Sequence, residues 1–65
     1  MEHTVLIWSK RKETGKGFLN GFLIETRIKL SQEQIEEIAL KQYMDFHGIS
    51  EDREYWAELE ETKHN

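Results

Sequence analysis

From Phe22 to Phe46 an alternating segment runs directly into an amphipathic one, and that junction limits what the chain can fold into. Phe22, Ile24, Thr26, Ile28 and Leu30 fall on one face of an extended chain. Glu25, Arg27 and Lys29 fall on the other, because strand side chains alternate with a period of two. The spacing predicts a strand over 22–30, whose apolar face must be covered. Ser31 stands where a helix N-cap is wanted, and Gln34 three residues later completes a capping box. Glu33 suits the positive end of the helix dipole. Ile35, Ile38, Ala39, Tyr43 and Phe46 then share one helical face, interrupted only by Gln42. Gly48 reads as a left-handed C-cap, with Ile49 placed for the apolar contact of such a cap. The helix is expected over 32–47.

Leu40 and Met44 lie off that stripe, so the apolar arc is wider than one contact requires. Either a second element of the same chain covers them, or another chain does. At 65 residues without cysteine, the chain allows one domain, 1–65, with no disulfide or thiolate metal site to staple it. Self-association or docking is then a reasonable source of stability. The expectation is a homodimer or higher oligomer in which Leu40, Met44 and Trp56 contribute to the contact.

The net charge of −4 is uneven. Residues 1–30 carry six basic and three acidic groups; residues 31–65 carry three basic and ten acidic. A basic β half and an acidic helical half steer charged partners. The longest apolar run, Val5 to Trp8, is too short for a membrane span, and no signal peptide is visible. A cytoplasmic protein is expected.

Thr4 to Ser9 reads as a first strand, apolar on both faces, as in a strand covered twice or placed at an interface. Trp8 is either core or a binding anchor. Ser9 to Gly17 reads as a long hairpin loop made basic by Lys10, Arg11, Lys12 and Lys16. Its Thr-Gly-Lys-Gly lacks the spacing of a phosphate-binding P-loop. Gly17 to Leu19 reads as a short strand, with Asn20-Gly21 either a hairpin turn or a bulge. The sheet is then a meander over 4–9, 17–19 and 22–30, or a plain hairpin. Ser50 can cap a second helix over 51–62, although Tyr55, Ala57 and Leu59 also alternate as a strand would.

His3 and His64 lie near the ends and His47 at a helix terminus, without metal-site spacing. The carboxylates Glu33, Glu36, Glu37 and Asp45 read as solvated, and no nucleophile stands out. An enzyme, a cofactor and a metal are not expected.

Thr26-Arg27-Ile28-Lys29-Leu30-Ser31, a helix, then Gly48-Ile49-Ser50 and a second helical segment together resemble the ribbon-helix-helix family of DNA-binding proteins. The resemblance covers 25–62. It implies that strands of two chains pair and that Glu25, Arg27 and Lys29 read the major groove.

The expected fold is α+β: a small antiparallel hairpin or three-stranded meander packed on one amphipathic helix, with a short C-terminal helix. The expected role is a non-enzymatic protein-interaction module that binds and modulates, by inhibition, a partner macromolecule. By analogy, small acidic single-domain proteins of this kind are common among regulators of phages and mobile elements. The partner surface is expected to draw on Trp8, Lys10, Arg11, Lys12, Arg27, Lys29, Leu40, Met44 and Trp56. The alternative is a ribbon-helix-helix-like transcriptional regulator that binds nucleic acid.

Overall fold

The apolar stretch at the N-terminus becomes the middle of a sheet. In the computed structural model, which describes residues 1–64, strand β1 (Glu2–Arg11) is paired on both sides. Strand β2 (Gly17–Glu25) follows after a tight connection, then helix α1 (Gln32–His47) and strand β3 (Arg53–Lys63). The order across the sheet is β2-β1-β3, with β1 antiparallel to both neighbours. The fold is therefore α+β.

Three expectations are corrected. The C-terminal segment 51–62 forms no helix; β3 is a strand. Tyr55, Ala57 and Leu59 alternate inward, and the second side of β1 offers them a full ladder, which outweighs the Ser50 cap. The strand expected over 22–30 is instead β2 at 17–25. Its pairing runs unbroken from Glu2↔Glu25 to Lys10↔Gly17, so Asn20-Gly21 makes neither a turn nor a bulge. The ladder ends where Met1 and Thr26 exchange hydrogen bonds at 2.7 and 2.9 Å. Arg27 to Ser31 then turn toward the helix, outside any strand. The three strands accordingly do not form a meander in chain order.

Helix α1 has the expected span and start. Ser31 Oγ accepts from the Gln34 N–H at 3.2 Å, and Gln34 Oε1 accepts from the Ser31 N–H at 2.9 Å. At the far end Gly48 has φ +84°, as expected, but ψ 167° takes it out of the left-handed helical well. Ile49, expected to pack on the cap, is 70% exposed. Phe46 leaves the stripe too, at 81% exposed.

The core lies between α1 and one face of the sheet. Val5, Ile7, Ile24, Ile35, Ala39 and Tyr43 are buried, with Phe22, Leu30, Ile38, Leu40, Met44, Tyr55, Ala57 and Leu59 packed around them. Leu40 and Met44 are thus partly covered from within the chain. His3, which the sequence suggested was peripheral, is 1% exposed. Its Nε2 lies 2.8 Å from Thr26 Oγ1 and its Nδ1 2.9 Å from Thr62 Oγ1. Thr26 Oγ1 donates to the Ile28 carbonyl at 3.1 Å, so it accepts from His3 Nε2–H. Thr62 Oγ1 partners Nδ1. The buried ring joins β1, the segment after β2 and the end of β3, and both its nitrogens are satisfied.

Candidate protein-docking surface

A strand buries side chains on alternate sides, and α1 covers only one of them. His3, Val5, Ile7 and Ser9 of β1 face the helix and are buried. Thr4, Leu6 and Trp8 face the opposite side, where no element lies over them. The two ladders fix their neighbours. Trp8 sits between Leu19 and Trp56, Leu6 between Gly21 and Glu58, and Thr4 between Leu23 and Glu61. The Trp8 and Trp56 rings stack with centroids 5.7 Å apart and planes 10° from parallel. Leu19 is 43% exposed, Leu23 64% and Trp56 41%.

The result is an apolar strip of Leu6, Trp8, Leu19, Leu23 and Trp56 on an open sheet face. Gly21 notches it: nothing lies within 4 Å of where its Cβ would be. A glycine inside a strand leaves room for another chain to approach closely. Beside the Trp pair, Lys10, Gly15 and Gly17 help to line a shallow cavity of about 230 Å³. The Trp8 indole N–H is buried and has no hydrogen-bond partner among the described residues. Trp8 is therefore held by packing, not by its polar atom. Carboxylates of Glu2, Glu25, Glu54, Glu58 and Glu61 share the open face by alternation and register, with Lys10 at one end and Lys63 at the other.

A second concavity, about 330 Å³, lies where the C-terminal end of α1 meets the sheet, lined by Ser9, Phe18, Tyr43, His47, Arg53 and Tyr55 among others. Its polar groups serve the fold. Arg53 Nη1 donates to Ser9 Oγ at 3.1 Å, and the guanidinium lies 5.2 Å from the Phe18 ring centroid. Tyr43 Oη accepts from Asn20 Nδ2, and Tyr55 Oη from the Ser50 N–H, each at 3.0 Å. Ser50 Oγ also donates to Asp52 Oδ1. That bond, helped by the Arg11 and Arg53 charges, holds the Asp52 carboxyl below its usual range against a smaller opposing effect of desolvation. Among the described residues no group of three or more His, Asp or Glu side chains is placed to hold a metal ion. No described helix is long and apolar enough to cross a membrane.

The sequence singled out nine partner-binding residues, and the fold separates them into three places. Trp8 and Trp56 come together on the open face, with Lys10 at its end and Arg11 and Lys12 at the adjoining hairpin. Arg27 and Lys29 lie beyond the other end of β2, in a molecule 41 Å long. Leu40 and Met44 are half-buried on α1, over the other face of the sheet; Leu40 meets Trp56 only at the β3 edge, where both line a concavity of about 350 Å³. Leu6, Leu19 and Leu23 were not singled out. The signal for Leu19 and Leu23 was the alternation Leu19-Asn20-Gly21-Phe22-Leu23, hidden by taking Asn20-Gly21 as a hairpin turn or a bulge. Comparison of the chain with known protein families, characterised proteins and solved structures gave no match.

Proposed function

We propose that the chain is a non-enzymatic protein-interaction module that docks on a partner protein through its open sheet face and modulates that partner by blocking the surface it covers. The observation that supports this is the uncovered strip centred on the stacked Trp8 and Trp56. Contiguous exposed apolar surface on a small protein marks an interaction site, and tryptophan is enriched among residues that dominate binding energy. The carboxylates around the strip favour a protein surface with an apolar centre and basic border. They disfavour nucleic-acid phosphates. The ribbon-helix-helix reading gains nothing from the fold, since Arg27 and Lys29 lie outside β2 and 51–62 provides no second helix.

Affinity capture from the native host tests the proposal. Trp56→Glu should keep the far-ultraviolet circular dichroism of the wild type, because Trp56 is exposed, yet lose the captured protein. Binding should weaken at least about thirtyfold, as expected at an interface hot spot. Sequence-selective binding of duplex DNA at about 150 mM salt, abolished by Arg27→Ala with Lys29→Ala, would sink the proposal in favour of a DNA-binding regulator.

A further inference from the structure

The outer edge of β2 is bare backbone. Met1–Thr26 and Arg11–Lys16 bond across the β1–β2 ladder. Alternation between bonded and non-bonded pairs then turns the N–H and C=O groups of Gly17, Leu19, Gly21, Leu23 and Glu25 outward. Nothing guards them. From Gly17 to Ile24 the strand has no charged residue, no proline and no bulge, and Phe18, Leu19 and Leu23 are exposed. Long, apolar, unprotected edges recruit another strand.

We infer that β2 pairs antiparallel with β2 of a second copy, about a twofold axis at Gly21, to form one six-stranded sheet. Three features select this occupant and register. First, aligning residue 17 with residue 25 overlaps the two strands along their full length. It puts outward-facing groups opposite outward-facing groups, for about ten backbone hydrogen bonds. Second, Leu19 meets Leu23 of the second copy, so the strip Trp56-Trp8-Leu19 continues without a break across the junction.

Third, the charges match. Within one chain Glu2 and Glu25 stand directly opposite each other, which is unfavourable for like charges. Alignment brings Gly17 of the second copy beside Glu25, and next to that glycine stands Lys10 of the second copy. Gly17 has no side chain, so the lysine reaches the two carboxylates. The row across both chains then reads Lys63, Glu2, Glu25, Gly17, Lys10, Glu54. The inference does not depend on the docking proposal: a chain that dimerises through β2 need bind nothing on its open face.

Sedimentation and amide hydrogen exchange test it on the full chain. At about 100 μM, far above the Kd of a specific dimer, the protein should sediment as a dimer. Exchange at the Leu19, Gly21 and Leu23 amides should slow on concentration and quicken on dilution. Leu23→Lys should give a folded monomer or raise Kd at least about tenfold. Lys10→Glu should also weaken the dimer, and adding Glu25→Lys should restore it. A monomer at 100 μM, a dimer whose three amides stay unprotected, or a charge exchange that restores nothing would each overturn the inference.

Discussion

β2 and β3 flank the same central strand and treat their outer edges in opposite ways. β3 alternates inward Tyr55, Ala57 and Leu59 with Glu54, Glu58 and a bulge at Glu60, where Val5 pairs with Leu59 and Thr4 with Glu61. Its outward Leu59 N–H is taken at 2.7 Å by the Glu36 carboxylate of α1. From Gly17 to Ile24, β2 has none of these devices. The cause is where the crossover lands: α1 packs most extensively on β3 and least on β2. A helix lying near one edge can spare a carboxylate to cap it, and leaves the far edge to look after itself. On that far side Phe18 remains 56% exposed although it points toward the helical layer.

The most damaging test of the contrast removes β2 from the sheet. A Cβ on residue 17 would run into the Ser9 carbonyl oxygen and lie 2.6 Å from Lys10 Cα. Both are backbone, so neither can move aside cheaply. Gly17→Ala should cost about 3 kcal/mol, at the upper end for overpacking, comparable to the stability of so small a core. The denaturant midpoint measures it. An unchanged midpoint would mean that β2 is held less tightly by β1 than the ladder implies.

Removing the guard from β3 should cost less. Glu36→Ala deletes a charged acceptor from a part-buried backbone N–H, a loss of about 1.5 kcal/mol. Exchange at the Leu59 amide should quicken, and new self-association through β3 should follow if guarding is the reason that edge stays unpaired. Glu36→Gln keeps an acceptor oxygen and should fall in between. If Glu36→Ala leaves the Leu59 amide protected, the carboxylate is not the cap.

The smallest effect concerns the turn that leads into β3. Asp52 has a folded pKa below its unfolded value, chiefly through Ser50. A lowered carboxyl pKa contributes stability above the unfolded value, about 4 for aspartate. That contribution is lost as pH falls through the folded value. The melting temperature of wild type should exceed that of Ser50→Ala slightly near pH 6, and the two should converge in stronger acid. A gap that widens toward low pH would reverse the sign and refute the assignment.

What was legible in the sequence was local. The Ser31–Gln34 capping box and the Ile35, Ala39, Tyr43 stripe specify α1 from within 16 residues, and they hold in the fold. Non-local choices were not legible. Tyr55 to Leu59 fits a helix or a strand, and only the open side of β1, over 40 residues earlier, decides between them. Asn20-Gly21 has the chemistry of a hairpin turn, yet β1 is ten residues long and draws it into a continuous partner strand. Trp8 stood out by itself and Trp56 together with Leu40 and Met44, but only the register puts the two tryptophans in contact. His3 looked peripheral because of its place in the chain, and its role depends on hydroxyls 23 and 59 residues away.

The strand order carries a consequence for how the protein is made. Of the four elements, the one synthesised first becomes the middle of the sheet, and one of its two partners is the one synthesised last. On the ribosome the β1–β2 hairpin can form early, but a two-stranded hairpin alone is marginal in water. Its inner apolar face waits for α1, and its free side waits until residue 63 has left the exit tunnel. Closing so long a loop before the contacts are gained favours slow folding for a chain of this length. The Trp8–Trp56 stack joins the first strand to the last. Its appearance in tryptophan fluorescence therefore clocks the final event, the arrival of β3.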